Sequence, residues 1–145
     1  MSGVGRGGSV AASTSDAVLA DAVLAAADAI IADFGHHRRD AYFSGFANDA
    51  TFVFHTAPDR LESRAAYEEL WDEWERSAGF RVHSCVSTNR RVQVLGTAAV
   101  FSHNVETTLE MDGAVETVHE RETIVFELRD GQWLAVHEHL SARSE

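Results

Sequence analysis

Two histidines, His137 and His139, stand two apart in the stretch Gly131-Gln-Trp-Leu-Ala-Val-His-Glu-His-Leu-Ser141. In a strand both rings leave the same face, roughly 6 to 7 Å apart, because a strand rises about 3.3 Å per residue and its side chains alternate. An imidazole titrating near neutral pH becomes a serviceable general base or acid once a carboxylate orients it. Strand pairing supplies that carboxylate. The chain carries Asp112-Gly113 and Asp130-Gly131, pairs that favour two-residue hairpin turns. Counting outward from Asp130-Gly131 sets Leu128 against Trp133, Phe126 against Ala135, Ile124 against His137 and Glu122 against His139. Counting from Asp112-Gly113 sets Val105 against Glu120 and His103 against Glu122. His103, Glu122 and His139 then stand side by side across three strands, opposed Cβ atoms about 4.5 to 5.5 Å apart. They are the expected catalytic group, a His acting as base with Glu122 orienting it.

The surroundings of that group decide what it would act on. Ala99, Phe101, Val105, Ile124, Phe126, Leu128 and Trp133 fall on the same side of the expected strands, so the polar group sits in an apolar hollow, where ligand sites are found. A small, partly apolar molecule is the expected ligand, floored by His137 and walled by Tyr67, Trp71, Phe101 and Trp133. His55 reaches in from a short strand. The alternative is a buried network in which these groups only satisfy one another. Two His and a carboxylate also form a ligand set used by zinc and iron. Nothing in the spacing sets a coordination geometry, so neither metal nor cofactor is expected. A β-bulge in any strand would reverse its parity and move part of the cluster outside.

Helices must position these strands. Residues 1–15 are mostly Gly, Ser, Ala and Thr with little to bury, an expected unstructured lead. From about Asp16 the apolar positions Val18, Leu19, Ala22, Val23, Ala26, Ile30 and Ile31 recur at helical spacing as far as Gly35. Arg38 to Phe46 reads as a second, short helix ended by Asn48-Asp49, and Ala50 to His55 as a short strand. Ser63 is a candidate N-cap for a third helix ending at Gly79, with Tyr67, Trp71 and Trp74 on its inward stripe. After Gly79 the period becomes two. Phe80 to Val94, Thr97 to Met111, Val115 to Leu128 and Trp133 to Ser141 are the four expected long strands. Helices followed by an antiparallel meander make an α+β fold with helices on one face of the sheet.

Composition bounds the partners. The 145 residues fit one domain over 16–145, and 45% are hydrophobic. The formal net charge of −11 repels phosphate backbones, so nucleic acid is not an expected partner. The alanine-rich run from Ala17 to Ala32 is broken by Asp21 and Asp28, which argues against an export signal or a membrane span. With a single cysteine, Cys85, the expected location is cytoplasmic. Leu134, Val136 and Leu140 around Glu138 make the outer face of the last strand apolar, and a homodimer would cover it.

The order of elements, with Arg121-Glu-Thr123, Asp130-Gly131-Gln-Trp133 and the closing Trp-x-x-Val-His-x-His-x-Ser, resembles the SnoaL-like family of the nuclear-transport-factor-like (ketosteroid isomerase-like) superfamily. The tail is also similar to the association domain of calmodulin-dependent kinases. The resemblance implies a cone of curved mixed or antiparallel sheet with three N-terminal helices on its concave face, a pocket in its mouth and a dimer through the sheet. It implies isomerase, cyclase, dehydratase or hydrolase chemistry without a cofactor, or else a non-catalytic binding or assembly module; fold alone does not choose. Ketosteroid isomerases place a general-base Asp late in the short strand, where this chain has Phe54 followed by His55. Kinase association domains have Arg between the last His and Ser, where this chain has Leu140.

Overall fold

The computed structural model describes residues 3–144. Its order is α1 (Gly3–Gly35), α2 (Arg39–Ser44), β1 (Phe46–Phe54), α3 (Arg64–Ala78), β2 (Arg81–Leu95), β3 (Ala98–Met111), β4 (Ala114–Arg129) and β5 (Gln132–Ala142). Helix α1 begins before Asp16 and takes in most of the stretch expected to be a lead, of which Met1 and Ser2 lie outside the described residues. Its buried positions are Val23, Ala27 and Ile30, four and three residues apart and so on one helical face.

Helix α2 is shorter than its sequence suggests. It stops at Ser44, and Phe46 is already in a strand because the chain docks alongside β5: the Ala135 N–H donates to the Gly45 carbonyl at 3.0 Å, and Phe46 pairs with Ala135. Asn48-Asp49, expected to end a helix, lies exposed inside β1 where its pairing with β5 is interrupted. Helix α3 matches its signals. Ser63 accepts the Ala66 N–H at 3.1 Å, a cap contributing about 1 kcal/mol. Gly79 closes the helix at φ +65°, a left-handed conformation glycine adopts without strain.

The strands form one mixed sheet in the order β1-β5-β4-β3-β2, with β1 parallel to β5 and the other pairs antiparallel. The three helices cover one side. Between them and the sheet lies a core rich in aromatic rings, with Trp71, Phe46, Phe52, Phe101 and Phe126 fully buried, each contributing roughly 1.5–3 kcal/mol by its removal from water. Among the described residues no helix is long and apolar enough to cross a membrane.

Both Asp-Gly corners turn as their sequence dictates. Asp112 and Gly113 have φ of 53° and 78°, and Asp130 and Gly131 have 50° and 78°, the left-handed pair that matches strand twist in a two-residue hairpin. Met111 pairs with Ala114, and the β3–β4 ladder continues unbroken through His103 with Glu122. The β4–β5 ladder behaves differently. It runs as expected through Phe126 with Ala135, and the next pair is Val125 with His137, which leaves Val136 as an extra residue in β5. Beyond this bulge, Ile124 faces Glu138, Thr123 faces His139 and Glu122 faces Leu140.

Candidate functional site

The bulge exchanges the two faces of the end of β5. Glu138 turns inward and is 3% exposed, while His139 is exposed. The expected pairing of His139 with Glu122 is therefore corrected: the two project from opposite faces of the sheet. His137 also leaves the floor of the hollow. Its Nδ1 lies 2.8 Å from the Thr51 hydroxyl, and burial together with the neighbouring His139 holds its pKa below the usual imidazole value. The outer face expected around Glu138 and Leu140 is corrected by the same shift, since both point inward.

A cavity of about 300 Å³ lies between the helices and the sheet. Ile31, Phe34, Phe54, Tyr67, Trp74 and Phe80 supply much of its apolar wall. Its polar lining includes Glu120, Glu122 and Glu138, with His55 at the end of β1. Of the expected wall, Tyr67 and His55 line the cavity. Trp71, Phe101 and Trp133 do not. Trp71 is fully buried among other rings, with its Nε1 donating to Glu75 at 2.8 Å. Phe101 lies beneath His103 with ring centroids 4.6 Å apart, and Trp133 packs against the core from its edge. Aromatic rings at helical or strand spacing filled the core first, and Trp74, one turn along α3 from Trp71, took the wall position.

His103 and Glu122 do meet. The ring Nε2 donates to Glu122 Oε1 at 2.6 Å, and the His103 side chain is wholly buried. The Ser87 hydroxyl lies 2.6 Å from the other ring nitrogen, where it can accept or donate. β2 is irregular between Thr88, which pairs with Asn104, and Arg91, which pairs with Ser102, so His103 falls in the gap between regular pairs. Asn89, at φ 53°, sits in that irregular stretch.

Glu138 adds a second carboxyl beside the first. It forms a hydrogen bond with Glu122 and lies beside Tyr42. Its Oε1 has no partner among the described residues. Burial, then the Glu122 charge and hydrogen bond, push the Glu138 carboxyl well above the usual range, so it holds a proton. Burial also pushes Glu122 upward, but hydrogen bonds from Glu138 and His103 and the attraction of the imidazole outweigh it and keep Glu122 ionised. Glu120, 7% exposed, is raised by burial against the opposing pull of His55, whose Nε2 lies 2.6 Å from it. Burial pushes the Cys85 thiol up to about 12, so this cavity residue is not a nucleophile near neutral pH.

A neutral acid and an ionised carboxylate thus stand together in an apolar hollow, an arrangement able to donate one proton and accept another. Sequence reasoning found Glu122 and His103 but assigned Glu138 to the wrong face. Glu120 was within reach, since its pairing with Val105 already placed it on the inward side.

The mixed sheet, its helical cover and the carboxyl-bearing cavity between them define the class of protein. Residues 23–144 match the SnoaL-like domain family, and the chain belongs to it. Among solved structures it is similar to a ketosteroid isomerase-like protein from Erwinia carotovora atroseptica, at 18% identity and a TM-score of 0.72 over 87% of this chain and 97% of that one. An NTF2-like protein from Cytophaga hutchinsonii matches at 14% identity and a TM-score of 0.72, over 85% and 97% of the two chains. The CamKII hub homology domain of Chlamydomonas reinhardtii matches at 21% identity and a TM-score of 0.68, over 87% and 98%. At these identities the likeness carries the fold alone. Among curated protein sequences none matches this chain.

Proposed function

We propose that this domain binds a small, mostly apolar molecule in the cavity and moves a proton on it, with Glu138 as the acid and Glu122 as the base. The observation that carries the reading is the buried carboxyl pair, one member neutral with an unpartnered oxygen and the other ionised against His103. Glu138 hydrogen-bonds or protonates an oxygen of the substrate, and Glu122 takes a proton from the neighbouring carbon. His103 acts through Glu122, fixing its orientation and its charge, and is itself anchored by Ser87. The cavity volume, about 300 Å³, suits a ligand at the small end of the usual range.

The test is exchange of α-protons for deuterium in a panel of apolar cyclic ketones, followed by NMR in D2O. Exchange above the buffer rate is expected, falling about 10²- to 10⁴-fold in Glu122→Gln and in Glu138→Gln, with both variants folded by circular dichroism. Absence of exchange with the wild type, or exchange untouched in both variants, overturns the catalytic reading.

An assembly role is compatible with the same cavity. The outer face of the sheet carries half-buried Val53, Val100, Val125 and Val136, which supports a homodimer formed through that face.

A further inference from the structure

We infer that the cavity selects a small apolar molecule bearing a basic nitrogen, held as an ammonium ion against the carboxyl of Glu138 between the carboxyls of Glu120 and Glu122. The inference rests on the reading of the hollow as a small-molecule pocket, and holds whether or not proton transfer follows binding.

Charge is the first argument. Glu116, Glu120, Glu122 and Glu138 all line the cavity, and no Arg is among the lining residues. The chain has no lysine anywhere. The acidic groups alone would not define a ligand, because Glu122 is already matched by His103 and Glu120 by His55. Glu138 is the exception. It is 3% exposed, lines the cavity, and keeps one oxygen without a partner among the described residues. A buried acceptor left in that state costs roughly 1–3 kcal/mol, a cost that a donor on the ligand removes.

The neighbours of Glu138 sharpen the choice of donor. From β4 it faces Glu120 and Glu122, from α2 Tyr42, and from α3 Tyr67; His103 on β3 acts on it only through Glu122, and Cys85 on β2 stays neutral. α1 contributes Ile30, Ile31 and Phe34 to the lining and no charge. No group in this shell other than the two histidines offers a positive charge, and both histidines are engaged. An anionic ligand would face the carboxyls, while an ammonium would meet the carboxyls and the aromatic side chains of Tyr42, Tyr67 and Trp74. The net charge of −11 favours the approach of cations to the surface.

The proton balance is simple. Before a ligand binds, Glu138 is a neutral acid, its pKa raised by burial and by Glu122. A ligand arriving as an ammonium ion expels that proton to solvent, and one arriving as the free amine takes the proton itself. Either way the bound state is an ammonium beside a carboxylate.

Three size-matched probes test this by calorimetry at pH 7: 2-phenylethylamine, 2-phenylethanol and 3-phenylpropanoate. The amine is expected to bind at least tenfold more tightly than the alcohol, and the carboxylate more weakly than either. Repeating the amine titration in phosphate and in Tris should reveal release of up to one proton. Glu138→Gln, a shape match for the neutral acid, should remove most of the amine's advantage over the alcohol and abolish the buffer-dependent proton release. Equal wild-type affinity for amine and alcohol, or preference for the carboxylate, overturns the inferred ligand class while leaving the pocket reading intact. Failure of all three to bind at 10 mM overturns both.

Discussion

Replacing Glu138 by Gln also isolates the contribution of its titration to stability. A carboxyl whose folded pKa is raised binds its proton more tightly in the folded chain than in the unfolded one, where it titrates at about 4.3. Its stabilising effect is complete below that value and is lost as pH rises toward the folded pKa, with a slope of at most about 1.4 kcal/mol per pH unit. Glu122 runs the other way: its pKa is held down, so its contribution is present above the unfolded value and fades as pH falls. Thermal melts from pH 5 to 9 should therefore show wild type losing stability with rising pH more steeply than Glu138→Gln. Parallel melting profiles would mean that Glu138 is not the buried neutral acid described above.

The strands owe their register to the corners that join them. Gly131 sits at φ 78° with open space around the position a Cβ would take, so Gly131→Ala should cost about 1–2 kcal/mol from backbone strain alone, read as a lower midpoint in urea. The two Asp-Gly corners made much of the sheet legible in the sequence. From Met111 with Ala114 the count reaches His103 with Glu122 without error, because no residue in β3 or β4 is left over between them. The same count fails in β5 at Val136, and no residue type there announces the failure. The extra residue arises where β5 has β4 on one side and the parallel β1, itself irregular between Phe46 and Thr51, on the other. Such a bulge answers to the curvature of the whole sheet, which pairwise counting does not contain. The aromatic stripe of α3 was legible as inward-facing, but which ring meets core and which meets cavity depends on how deeply each inserts. Trp71 and Trp74 differ in that respect and not in type.

At the scale of the molecule, the sheet has one face committed to the helices and one facing outward. His137 and His139 now lie on that outer side, near Thr51 and Val53 of β1 and Val125 of β4. If two copies meet there, sedimentation of the wild type gives a dimer. Val125→Arg, which sets a charge in the middle of the face and leaves its inward neighbours Ile124 and Phe126 in place, should then give a monomer that stays folded by circular dichroism. A wild-type monomer at 100 µM, or a Val125→Arg dimer, would remove the sheet face from consideration. The acidic surface and the cavity do not depend on that result.

Val136 has one more consequence, for how knowledge passes between distant relatives. Laid flat, the same strand would offer imidazoles to a guest; kinked, it offers a carboxylic acid, with no letter changed. A role transferred by matching sequence columns across β5 is therefore displaced by one step whenever the other protein lacks the kink. Only superposed backbones reveal which residue inherits the task.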